Sequence, residues 1–299
     1  MQFGLNIETA ESNAFQDQQF VVDKEEARHK AMEEFDAFVV KLRAHGIQVI
    51  VVEDLSEPVT PDAVFPNNWI SFHQDGTIVL YPMMAPNRRL ERREDVIKSL
   101  TAAHGFKESR RIDLTAYEAE NLFLEGTGSM VLDRKNRIAY ACLSPRTDET
   151  ILNDFCGKMN YRLLAFEAVD QNDQLIYHTN VMMCVGESIM VVCHDAIKTG
   201  ADQKKFEDFC TETEKEVVSI NFDQMNNFAG NMLEVKNEAG EHFMVMSQQA
   251  YDSLFDYQIE VIEKYCKIIS APLNMIETLG GGSARCMMAE IFLPKYTVN

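Results

Sequence analysis

Positive charge is scarce in this sequence. Its 299 residues hold 28 Lys and Arg against 47 Asp and Glu, a formal net charge of −19. Nucleic acid and anionic membrane surfaces both need a basic footprint, so neither is expected as a partner. The acidic residues are spread along the chain rather than gathered in a tail, which fits solvation of helix faces. Apolar runs long enough to cross a bilayer are missing, and the opening MQFGLNIETAESN has no basic-then-apolar leader pattern, so a cytoplasmic protein is expected. The seven cysteines include no C-x-x-C pair, and no spacing of His, Cys and carboxylates forms a metal-ligand set. Reduced thiols are expected, with no disulfide, metal or cofactor. Linker-like breaks are lacking too, so residues 1–299 are read as one domain whose partner is a small molecule, with oligomeric state left open.

What is present is a repeat. Trp69-Ile70-Ser71-Phe72, a turn at Gln74-Asp75-Gly76 and Thr77-Ile78-Val79-Leu80-Tyr81 predict a hairpin, followed by a helix in ERREDVIKSLTAAHG and a strand around Ile112. The same order returns from Ser129, from Val181 and from Met232, about every fifty to sixty residues, each time as hairpin, helix and strand. Upstream, residues 24–45 predict a helix that ends at Gly46, and Ile47 to Val52 predict a buried strand. Aromatic-cysteine pairs recur at the helix ends, making Cys156, Cys210 and Cys266 equivalent packing positions. Repeat periods of that length mean a propeller or a solenoid, and the final unit, which would begin at Gly280-Gly281-Gly282 and need strands from the N-terminus, is expected to close the chain into a ring.

Matching points of each unit, just before its first strand, carry Asn67-Asn68, Glu125-Gly126-Thr127-Gly128, His178-Thr179-Asn180, Gly230-Asn231 and Gly282-Ser283-Ala284-Arg285-Cys286. In a ring these positions converge on the axis. Singly, each has an ordinary alternative: a buried cysteine after a flexible turn, a core histidine, a turn carboxylate. Together, Glu125, His178 and Cys286 have the composition of a thiol-nucleophile site, in which the histidine moves protons, the carboxylate orients it and the thiolate attacks.

The strings FPNNW (65–69), LEGTGSMV (124–131), LSPRT (143–147), HTN (178–180) and GGGSARCM (280–287) resemble those of the guanidino-group modifying enzyme superfamily. That superfamily includes arginine deiminases, dimethylarginine hydrolases and amidinotransferases. The resemblance covers almost the whole chain and lies nearest to the amidinotransferase-like branch assigned to citrulline utilisation. It implies a five-unit α/β propeller with a central pocket, and Cys286, His178 and Glu125 as the catalytic trio.

Members that act on arginine resemble one another in an Asp where this chain has Asn68, and in another two residues after the histidine, where this chain has Asn180. A guanidinium cation is best held by carboxylates through charge-assisted bonds. Asparagine is neutral and offers both donor and acceptor, which suits a ureido group. The expected reaction is therefore hydrolysis of citrulline, or a close derivative, to ornithine, carbon dioxide and ammonia. Alternatives are an arginine deiminase-like, dimethylarginine hydrolase-like or amidinotransferase reaction on a guanidino substrate, and a non-catalytic propeller that works through its surface. Asn67 and Asn231 accompany the other asparagines as binding candidates. Arg88 and Arg89 in APNRRLERRE, and Arg146 in LSPRT, are candidates for the substrate carboxylate, while Arg285 could stabilise the thiolate. Phe3-Gly4-Leu5-Asn6 with Thr9, Asn13 and Phe15 resembles a family loop that follows an apolar strand. Met1 stands where that strand would end, so a missing strand and an unpaired sheet edge are expected in the closing unit.

Overall fold

A computed structural model describes residues 2–10 and 12–296; Met1 and Glu11 lie outside them. The repeat folds as the sequence predicts in four units, each a three-stranded sheet with the middle strand second in chain order. They are β1 (Ile70–Phe72), β2 (Thr77–Leu80) and β3 (Arg110–Asp113); β4 (Val131–Asp133), β5 (Ile138–Cys142) and β6 (Arg162–Phe166); β7 (Met183–Val185), β8 (Ile189–Val192) and β9 (Glu216–Ser219); and β10 (Leu233–Lys236), β11 (His242–Ser247) and β12 (Lys267–Ala271). Within every unit the first two strands pair antiparallel and the second and third pair parallel, as in Tyr140 opposite both Val131 and Leu164. A parallel pair needs a crossover, and helices Glu94–Ala102, Glu149–Met159, Gly200–Thr213 and Asp256–Glu263 lie in those connections.

The middle strands are continuous apolar runs because both of their faces are covered. All five residues of β5 and all four of β8 are buried. Third strands expose alternate residues, as in β9. Phe155, fully buried on its helix, packs against Tyr81 of the first unit and Tyr161 of its own, and a buried aromatic of this kind contributes roughly 1.5–3 kcal/mol by removal from water. Cys156 and Cys266 lie in such clusters and Cys210 packs at the edge of one. Burial pushes their thiols up to about 11, 12 and 11 respectively, so they are packing residues of low reactivity. The helix carrying Cys210 runs on to Thr213, three residues past its predicted end.

Of the remaining segments, the helix predicted over residues 24–45 forms, over Lys24–Ala44 and capped by Asp23, and the others depart from expectation. The strand predicted at Ile47 to Val52 does not form, and Val51 and Val52 are exposed. Ile47 and Val49 still pack against the cluster that holds Leu42 and Phe243, and Ile50 against the one that holds Trp69, Ile70 and Leu293, so the stretch is partly buried up to Ile50 without being a strand. A strand exists through its ladder of hydrogen bonds, and no described segment pairs with this one. After Cys286 the chain is also without ladder bonds, apart from an isolated bridge between Phe106 and Lys295. The described strands thus make an α/β fold of four small mixed sheets, without a closed fifth sheet. Among the described residues no helix is long and apolar enough to cross a membrane.

Candidate active site

The segments that lead into each first strand meet at the centre. Pro66–Asn68, Gly126–Ser129 and Thr179–Met182 are single helical turns, and the middle one packs against both others. Their approach depends on Gly128. A Cβ there would lie 2.3 Å from Asn68 Nδ2 and 2.8 Å from His178 Nδ1, so any side chain at 128 would part these two groups.

Glu125, His178 and Cys286 are all buried. His178 Nε2 bonds Glu125 Oε2 at 2.9 Å, which leaves Nδ1 as the nitrogen facing Gly128 and Asn68. Glu125 Oε1 accepts from Met84 N at 3.0 Å, fixing the carboxylate plane. The Cys286 sulfur accepts from Asn180 Nδ2 at 3.3 Å and Asn231 Nδ2 at 3.2 Å. Asn231 is itself held by the Asn180 carbonyl and the Arg285 main-chain N–H. Two aligned amides are thus aimed at the sulfur, where they would stabilise negative charge.

Burial alone would raise the Glu125 carboxyl, but Arg146 at 3.5 Å, His178 and Arg88 at 3.9 Å together hold it well below the ordinary carboxylate range. Burial pulls His178 down to about 4 even with Glu125 beside it. Near neutral pH the pair is carboxylate and neutral imidazole, with Nδ1 free to take a proton. As pH falls through about 4, His178 becomes imidazolium and loses that lone pair. The profile of kcat/KM is therefore expected to fall on the acid side with a midpoint near 4, in the range where it reports free-enzyme groups. Initial rates recorded after brief pH jumps check this; a limb centred near the ordinary histidine value would contradict it.

Arg88 does not face outward for a substrate carboxylate. Its Nε and Nη2 grip Glu91 at 2.8 and 2.9 Å, Nη2 reaches the Phe65 carbonyl, and Nη1 donates to Asn68 Oδ1 at 2.9 Å. A guanidinium has donors only, so this bond fixes the Asn68 amide with its oxygen spent on Arg88 and its NH2 toward Gly128 and the Glu125 carbonyl, 3.4 Å away. Asn180 is the complement: its NH2 is on the sulfur, and its Oδ1 has no partner among the described residues. Both polar atoms of Asn67 are likewise unpartnered.

Arg146 is brought to the centre, where it meets Glu125, donates to the Thr9 carbonyl at 3.1 Å and Ser12 Oγ at 2.6 Å, and leaves Nε without a partner. Arg285 turns its guanidinium to the Met288 carbonyl and Glu290, and only its main chain serves the cysteine network. Arg89 stands apart, half-buried, bonded to the Met83 and Met84 carbonyls and 3.4 Å from Glu118. Sequence reasoning missed Glu91, Asp62 and Tyr177. Glu91 was visible as the i+3 partner of Arg88. Tyr177, beside His178 in sequence, donates to the Gly281 carbonyl at 2.6 Å and lies under Arg146. Asp62 binds Asn6 and Thr9 with one oxygen and leaves the other unpartnered; nothing local in its loop marked it. Away from the centre, Glu187, Glu234 and His242 approach one another within metal-ligand reach, an association the spacing did not suggest. Lys236 at 2.6 Å from Glu187 and the direct His242–Glu234 bond already satisfy them.

The family model described as N,N dimethylarginine dimethylhydrolase, eukaryotic, matches residues 1–293. No curated protein matches the chain by sequence. Among solved structures, ArgZ, an arginine dihydrolase from the ornithine-ammonia cycle in cyanobacteria, is 18% identical with a TM-score of 0.69, covering 90% of this chain and 38% of its own. The chain therefore spans well under half of full-length ArgZ. Against the N-terminal domain of ArgZ bound to product, the TM-score is 0.68 at 18% identity, with 94% of this chain and 97% of that domain covered. A histidine-to-glycine variant of a dimethylarginine dimethylaminohydrolase, as an adduct with S-methyl-L-thiocitrulline, gives 0.58 at 11% identity over 87% of each chain. At these identities the likeness is one of fold.

Proposed function

We propose that this chain, which belongs to the N,N dimethylarginine dimethylhydrolase family, hydrolyses the ureido group of citrulline or a close derivative through a covalent intermediate on Cys286. Family membership makes it a guanidino-group modifying enzyme, a hydrolase of carbon-nitrogen bonds in guanidino-type amino acids. The observation that carries the finer reading is the Arg88–Asn68 bond. With Asn68 presenting N–H and Asn180 presenting an unpartnered oxygen, the site offers one donor and one acceptor, both neutral. A ureido carbonyl needs the donor and a ureido amino group needs the acceptor.

In this scheme the Cys286 proton passes to His178 Nδ1 and the sulfur adds to the ureido carbon. The carbonyl electron pair moves to oxygen, held by the Asn68 amide. Collapse breaks one carbon-nitrogen bond, and the departing nitrogen takes the proton from His178. Water then adds to the thioester-like carbon with His178 as base, the sulfur leaves, and the remaining nitrogen departs as the carbamate decomposes. One citrulline and one water give ornithine, carbon dioxide and ammonia. Glu125 keeps His178 in the tautomer this needs. For the amino-acid end, the unpartnered Nε makes Arg146 the candidate cation. The same reading takes the segments around residues 3–52 and 274–296 as an incomplete fifth unit of a single propeller domain.

A second reading is hydrolysis of a guanidino substrate, favoured by the family match and by the unpartnered Asp62 oxygen. Rates of ornithine and ammonia release from citrulline and from arginine, each as sole substrate, separate the two. A mismatched buried hydrogen bond costs about 1–3 kcal/mol, so kcat/KM is expected to favour citrulline by roughly 10–100-fold, and Asn68→Asp is expected to move the preference toward arginine. Activity on arginine alone would overturn the ureido reading.

A further inference from the structure

The glycine-rich turn that delivers Cys286 is tied to a carboxylate for which the reaction has no use. Glu277, 2% exposed, lies on the helix Asn274–Gly280. Its side-chain Oε1 accepts from Ser283 Oγ at 2.6 Å, and its main-chain carbonyl accepts from Gly281 N at 2.9 Å. Gly281 has φ +62°, and a Cβ there would meet Asn13 at 2.5 Å, so the helix ends in a left-handed cap that favours glycine. The Ser283 carbonyl in turn accepts from Cys286 N at 2.9 Å and Met287 N at 3.3 Å. One residue therefore grips the turn twice: at its start through main chain, and at the residue that carries the cysteine through its side chain.

We propose that Glu277 is a positioning residue for Cys286: its bond to Ser283 fixes the turn 281–283 and so places the sulfur between the amides of Asn180 and Asn231. If filling space were its whole role, an apolar side chain would do so without the cost of a buried polar group. Glu277 instead sits with Oε2 unpartnered and in no ion pair among the described residues. Burial pushes its carboxyl up to about 7 against the lowering hydrogen bonds of Ser247 and Ser283, and the neighbouring acid Glu34, which binds the Met275 and Ile276 N–H groups at the start of the same helix, acts in the same direction as burial. The group is retained in an environment that disfavours its charge, and besides the Ser247 hydroxyl its side chain meets the nucleophile turn, through the 2.6 Å bond from Ser283.

The inference rests on Cys286 being the nucleophile, so its test includes a measurement that needs no substrate. The rate at which iodoacetamide alkylates Cys286, read from the mass of its peptide, is compared with kcat and KM in Glu277→Gln, Glu277→Leu and Ser283→Ala. Misplacing a reacting group by about 1 Å costs on the order of 100-fold. Glu277→Leu and Ser283→Ala are therefore expected to lower both the alkylation rate and kcat by about 10–100-fold with little change in KM, while Glu277→Gln, which keeps the acceptor, stays near wild type. Leu behaving as wild type, or Gln as impaired as Leu, would overturn the proposal. Should Glu277→Leu fail to fold, Ser283→Ala decides alone, since it deletes only the link: unimpaired alkylation in that variant overturns the proposal and slowed alkylation upholds it. Alkylation is independent of whether citrulline or arginine is turned over, so failure of the ureido reading leaves this result standing.

Discussion

Cys286→Ser is expected to retain the fold and to lose about four orders of magnitude in kcat on citrulline, read as ornithine and ammonia release. The serine hydroxyl fits the volume of the thiol and can accept from the same Asn180 and Asn231 amides that bond the sulfur. A melting temperature within a few degrees of wild type would confirm that only chemistry was removed. A hydroxyl, unlike a thiol, has almost no anionic fraction near neutral pH, and His178, pulled down to about 4 by burial, is too weak a base to generate one. The donors at Asn68 and Asn180 remain, so a small residual rate over water is expected. Full turnover in this variant would end the covalent scheme.

The second large effect is expected at His178. His178→Asn should reduce kcat by about three orders of magnitude, because proton transfer contributes roughly 10²–10⁴-fold and the proposed scheme uses this residue in both halves of the reaction. Glu125 would keep Arg146 and the Met84 N–H as partners, so the charge at the centre is not stranded by the change. The intermediate should then decay more slowly than in wild type, since water has lost its base. A rapid-quench time course followed by peptide mass measurement checks this. A variant with unaltered kcat, or one that forms and loses the adduct at the wild-type rate, would remove His178 from the mechanism.

Much of this centre was legible in the sequence. Repetition placed Glu125, His178, Asn231 and Cys286 at equivalent points, and equivalent points in a repeat converge without any side-chain detail being known. The strands of the four sheets were legible for the same reason: hairpins pair within a short stretch of chain. Ile47 to Val52 was misread because its composition is that of a buried strand, while strand formation depends on a partner that local pattern does not report. The surroundings of Arg88 were hidden for a related reason. Its sequence context made it a candidate for the substrate carboxylate, whereas contacts with Glu91 and Asn68 turn it inward and fix the orientation of the Asn68 amide. Glu277 went unnoticed because a single acid on a short helix has no periodic signature; its significance lies only in what Ser283 does next.

The most direct test of the account is the identity of the group carried by Cys286 during turnover. Wild-type protein quenched while consuming citrulline should yield a Cys286 peptide heavier by a carbonyl-bearing fragment, absent from Cys286→Ser. An adduct that forms only with arginine and carries an amidino carbon, with none from citrulline, would contradict the ureido reading.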